Sequence, residues 1–134
     1  MTPVLALLLV AVGGGLGAAA RFVVDGEVRA RHGGGFPWGT FAVNVSGSFL
    51  IGVFSTLFST LAMHGVPTDV ARLVQLSLLT GVCGGYTTFS TATVESVRLA
   101  RSGRMRLALA NSLGTLAVTV TAAALGVAVG GLFG

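Results

Sequence analysis

Charge is the scarcest thing in this sequence. Only 9% of its 134 residues are charged, and lysine is absent altogether. A soluble domain carries about 25% charge. With 53% hydrophobic residues and a mean hydropathy of +0.90, the chain has too little polar material to cover a water-facing surface. A polytopic membrane protein is the reading that remains, and the length allows one domain over residues 1–134. A second cysteine is also missing, so Cys83 excludes an internal disulfide. Its place in an apolar segment suits a small packing residue. No positive charge precedes the first apolar run, as a signal peptide would require, so that run is expected to be a retained helix. No soluble domain is visible outside the apolar segments, which puts function inside the membrane.

What is present is four long apolar segments: Pro3 to Ala20, about Gly39 to Met63, about Leu73 to Val97, and about Leu107 to Phe133. Each is near or above the roughly 20 residues that cross a bilayer as a helix. The expected fold is an all-α membrane protein of four transmembrane helices. The third is expected to be broken near its middle, at Gly81 to Ser96 (GVCGGYTTFSTATVES). Glycines and hydroxyls crowd this stretch where a spanning helix should be most regular. Unpaired backbone groups are costly in hydrocarbon, so such a break survives only where protein buries it or a polar path runs beside it.

All eight basic residues are arginines, and they are unevenly placed. Arg21, Arg29 and Arg31 fall in the first connection, and Arg98, Arg101, Arg104 and Arg106 in the third. Arg72 alone lies beside the second. This bias puts connections one and three in the cytoplasm and both termini outside. The net charge of +4 is then a topology signal with contact to anionic lipid. Nucleic-acid binding is excluded, because no folded basic surface exists to carry it.

Polar residues recur at helical spacing within the segments. Thr40, Asn44 and Ser48 stack on one face, with Ser55 and Ser59 further along. Asn111, Thr115 and Thr119 repeat the pattern, with Ser112 alongside. Isolated hydroxyls ordinarily glue helices together, helped by close approach at Gly47 and Gly52. Asn44 asks for more, since an amide at mid-span is costly without partners. Glu95 sits near the end of the third segment, where it can pair with Arg98 on one helix face. No charged residue lies near the middle of any segment. The available groups are an amide, hydroxyls, backbone N–H groups and ring edges. They suit a small hard anion, and equally a water or polar-solute pathway.

Three motifs in order narrow this choice: GGGLGAAARF at Gly13 to Phe22, WGTFAVNVSGSFLIG at Trp38 to Gly52, and GGYTTFST at Gly84 to Thr91. Together they resemble the bacterial fluoride channel family (Fluc, also called CrcB), and the resemblance covers all four segments. It implies a fluoride-specific ion channel that lets fluoride leave the cell through the cell membrane and is not an enzyme. It implies an antiparallel dimer of four-helix subunits with two pores. It also implies a structural sodium ion between the subunits, held here by the backbone carbonyls of Gly84 and Thr87. On the same basis Asn44 and Phe89 face fluoride in the pore, Thr40, Ser48, Ser112 and Thr115 are wall groups, and Arg21 lies at the vestibule.

Two positions depart from the family pattern. Its second pore phenylalanine falls on Ala92, and a tyrosine of the fourth helix falls on Ala108 if Ser112 is the family's serine there. With the arginine bias, this favours one half of a heterodimer over a homodimer as the partner arrangement. A small four-helix multidrug exporter would need a membrane-embedded carboxylate in the first segment, and none is there. A potassium-type filter, suggested by GGY, would need a re-entrant loop rather than a full span. A non-conducting assembly partner is the remaining alternative.

Overall fold

The computed structural model describes residues 2–134. Helix α1 spans Pro3–Arg31, started by the Thr2 hydroxyl, which accepts from the Leu5 N–H, and by Pro3 in the first turn. Helix α2 spans Trp38–Met63. Helix α3, Thr68–Val74, runs on into a π-helical segment, Gln75–Cys83, and then the single turn α4, Gly84–Tyr86. Thr87 and Thr88 are extended, and α5 begins at Phe89 and ends at Arg101. Helix α6 spans Met105–Gly131. No strand occurs among the described residues. The third apolar segment is therefore broken, at Thr87–Thr88, as expected.

Helices α1, α2 and α6 are each long and apolar enough to cross a membrane. The first helix runs past Ala20, where its apolar character ends, to Arg31. Arg29 and Arg31 thus belong to its last turns rather than to a loop. Ion pairs one turn apart, Asp25–Arg29 at 2.7 Å and Glu27–Arg31 at 3.5 Å, favour continuation. The run Gly33–Gly34–Gly35 before Pro37 stops it, with Gly34 at φ +101°.

Packing follows a simple plan. Helix α2 packs most extensively on α6, α1 packs on the π-helical segment and α4, and α5 lies against α6. The α2–α6 approach is close at Gly52, where a methyl group would meet the Ala123 carbonyl and the Val127 amide. The apolar interior is small, with Val43, Phe58, Cys83, Leu99, Ala108 and Ala122 buried. Leu7, Val12 and Leu16 on α1 and Leu109, Leu113, Leu116 and Val120 on α6 are all exposed. In water such a surface would aggregate, whereas in a bilayer it is the ordinary lipid face. Small residues and interhelical hydrogen bonds then hold the bundle together. Six of the eight arginines gather at one end, where Arg29 reaches Glu95 and Arg104 lies beside Gly35. Arg21, expected in the first connection, instead lies within α1 against the break, where it donates to the Thr87 carbonyl.

Candidate functional site

The break in the third segment organises the site. An extended residue inside a bundle leaves an N–H and a C=O without helical partners. At Thr88 both are met by one side chain. The Asn44 amide donates to the Thr88 carbonyl at 2.9 Å, and its oxygen accepts from the Thr88 N–H at 2.8 Å. A primary amide is the chemical twin of a peptide group, so Asn44 replaces a missing backbone neighbour. Both residues are buried. Helix α2 comes this near because Gly47 carries no side chain; a methyl there would meet the Thr87 methyl and the Tyr86 ring. Ser46 adds a 2.9 Å hydrogen bond to the Tyr86 hydroxyl. The Thr88 hydroxyl caps α5 by accepting from the Thr91 N–H.

A cavity of about 590 Å³ opens beside the break. Asn44, Ser48, Phe89, Ser112 and Thr115, five of the six expected pore residues, line it together with Thr87, Thr88, Ala92, Ser96 and Asn111. None of its lining residues is charged. Phe89 stands at its rim with 87% of its surface exposed, outside the subunit's own packing. Where α5 meets α6, Asn111 donates to the Ala92 carbonyl (3.2 Å) and to the Ser96 hydroxyl (2.8 Å). Ser112 donates to Ser96 at 3.0 Å, and Thr115 to the Asn111 side-chain amide oxygen, Oδ1, at 3.4 Å.

Thr40 lies elsewhere. It lines a second cavity of about 270 Å³ with Arg21, Asp25, Thr88 and Thr91, toward the arginine-rich end. Thr88 borders both cavities, so the break stands between them. The Thr40 hydroxyl donates to Glu95 at 3.1 Å. Glu95 pairs with Arg29 at 2.6 Å, not with Arg98 as its spacing suggests. Arg29 reaches the 12% exposed Glu95 from α1 while its Nε stays on Asp25, so one guanidinium serves two carboxylates. Its second oxygen is buried without a hydrogen-bond partner among the described residues.

The carbonyls expected to hold a cation lie at the C-terminal end of α4. The Thr88 N–H, which would ordinarily bond the Gly84 carbonyl one turn back, is taken by Asn44. The Gly84 carbonyl loses its helical donor, and Gly84 is exposed. The Thr87 carbonyl accepts from Arg21 at a long 3.4 Å, which leaves it a second lone pair. Helix-end carbonyls of this kind suit a hard cation. No cluster of His, Cys, Asp or Glu among the described residues offers another site.

Three residues of the site were not expected there from sequence: Thr88, Ser96 and Arg29, the last expected only as an orientation signal. Ser96 had a usable signal, since Phe89, Ala92 and Ser96 fall at i, i+3 and i+7 on one helix face.

A sequence profile of the family described as "CrcB-like protein, Camphor Resistance (CrcB)" matches residues 8–127. The fluoride-specific ion channel FluC 1 of Leifsonia xyli subsp. xyli is 48% identical over 133 residues, covering 98% of this chain and 90% of its own. The fluoride-specific ion channel FluC of Magnetococcus marinus is 45% identical over 123 residues, covering 92% of this chain and 95% of its own. FluC 1 of Frankia casuarinae is 42% identical over 122 residues, covering 90% and 92%. With a match of this extent and full-length relatives at this identity, the chain belongs to the CrcB-like family.

Proposed function

We propose that this multi-pass membrane protein is a subunit of a fluoride-specific ion channel, which lets fluoride leave the cell passively and so lowers its cytoplasmic toxicity. The observation that carries the reading is the cavity at the helix break. It offers an amide, hydroxyls and a ring edge, and no charged side chain. A small anion that accepts hydrogen bonds strongly gains most from neutral donors in a low-dielectric site. A fixed cation there would hold the anion rather than pass it. Asn44 keeps one N–H beyond its bond to Thr88, and Phe89, Ser48, Ser112 and Thr115 complete the wall. Arg21 and Thr40 serve the vestibule at the arginine-rich end. The relatives are ion channels, so no enzymatic step is involved.

The working unit in this reading is an antiparallel dimer with two pores. The exposure of Phe89 supports it, because the ring stands where a second subunit would receive it. The Gly84 and Thr87 carbonyls would hold a structural sodium ion between subunits, which is not transported. The arginine bias puts both termini outside. Together with Ala92 in place of a second ring, it favours an oppositely oriented family member as the partner. The test of function is anion efflux from liposomes. Fluoride should leave at a rate far above background while chloride does not.

A further inference from the structure

The Ser112 hydroxyl does not point a proton into the cavity at rest. Its proton goes to Ser96 at 3.0 Å. Ser96 in turn donates to the Ala92 carbonyl at 3.0 Å, and its two lone pairs accept from Asn111 and Ser112. Both hydroxyls are therefore committed, and Ser112 offers the cavity only lone pairs, the wrong polarity for an anion. Asn111 is what makes this reversible. Its NH2 can only donate, and it already covers the Ala92 carbonyl at 3.2 Å. Its oxygen is held by Thr115, and the residue is 2% exposed, so it cannot turn.

We infer that Ser96 is a positioning residue which, oriented by Asn111, turns the Ser112 hydroxyl from acceptor to donor when an anion enters. The Ser112 proton swings to the anion. The Ser96 proton leaves the Ala92 carbonyl, which keeps its bond from Asn111, and swings to the lone pair that Ser112 now turns toward it. The 3.0 Å contact between the two hydroxyls serves both states with the donor reversed. Each hydroxyl has one proton donated before and after, and no covalent bond changes. A chain of donors aimed at one acceptor polarises itself, so the Ser112 proton becomes a stronger donor than a lone hydroxyl. A cation or an apolar solute leaves the resting arrangement in place.

The inference rests on Ser112 being a pore wall group, and the test separates the two ideas. Fluoride efflux is measured against fluoride concentration for the conducting assembly carrying Ser96→Ala, Ser112→Ala, both changes, or Ser96→Thr. The half-saturating concentration should rise about three- to tenfold in each alanine variant, the size of one ordinary hydrogen bond. The double variant should be no worse than Ser112→Ala, since the relay acts only through Ser112. Ser96→Thr, which keeps the hydroxyl, should stay near the unmodified value. Ser112→Ala with unchanged half-saturation would remove Ser112 from the pathway and the relay with it. An impaired Ser112→Ala beside an unaffected Ser96→Ala, additive losses in the double variant, or a Ser96→Thr as weak as Ser96→Ala would overturn the relay alone.

Discussion

Asn44 on α2 and Thr88 between α4 and α5 exchange two hydrogen bonds, at 2.9 and 2.8 Å, across 44 residues of sequence. The pair explains why a membrane helix can be interrupted here. It also couples a cavity-lining amide to the backbone that shapes the cavity. A change at Asn44 therefore alters both the donor and the wall.

Asn44→Asp sharpens this point. A carboxylate can still accept from the Thr88 N–H, but it sets an oxygen against the Thr88 carbonyl and puts negative charge in the anion path. Leaving a buried acceptor unpaired costs about 1–3 kcal/mol. Fluoride efflux from vesicles carrying the variant should fall to the level of protein-free vesicles. Efflux at the unmodified rate would remove Asn44 from the pore.

The cation proposal separates side chain from backbone at Thr87. The Thr87 N–H and hydroxyl both donate to the Cys83 carbonyl at 3.0 Å. Thr87→Ser keeps both donors and the carbonyl, and should conduct nearly as well as the parent. Thr87→Pro removes the N–H and should abolish flux. Replacing sodium with a bulky organic cation throughout purification should lower activity, and a channel indifferent to sodium would contradict the assignment.

Arg29 holds two carboxylates with different nitrogens, Nε on Asp25 and Nη2 on Glu95. A lysine has one ammonium and cannot reproduce that fork. Arg29→Ala and Arg29→Lys should both lower stability, by about 1–3 kcal/mol for the lost charge-assisted bonds and with half-exposed Arg29 favouring the low end. Thermal unfolding in detergent reads this, and Arg29→Lys at parental stability would show that the fork is unimportant.

Assembly is tested by topology. Single cysteines in the first and second connections, in a Cys83→Ser background, should label from opposite sides of the membrane. The first connection should be reached only from the cytoplasm. Equal labelling of each position from both sides, with flux from this chain alone, would mean a dual-topology homodimer. Ala92 would then not be a lost half-site.

The fold was legible where it depends on hydropathy and local breakers. Four segments and the arginine bias follow from composition, and the crowding of Gly81, Gly84 and Gly85 marked the right helix for a break. The break falls inside the expected stretch, at Thr87–Thr88 rather than at its glycines, because the glycines are helical and the helix stops where Asn44 captures Thr88. That is a tertiary event with no local signature. The same holds for Glu95, whose nearest basic residue in helical spacing is Arg98 but whose partner comes from α1. The end of α1 was missed because hydropathy stops at Ala20 while helical ion pairs carry the backbone on to Arg31. Of the residues proposed for the pore, spacing gave the stripe of Asn44 and Ser48. It could not show that Thr40, one turn away, opens onto a different cavity.

The most direct measurement is fluoride and chloride efflux from liposomes, read with ion-selective electrodes, for this chain alone and for this chain reconstituted with an oppositely oriented family member. The account predicts rapid fluoride efflux from the paired preparation, with chloride at background in both. Chloride leaving as fast as fluoride, or no fluoride efflux from either preparation, would contradict it.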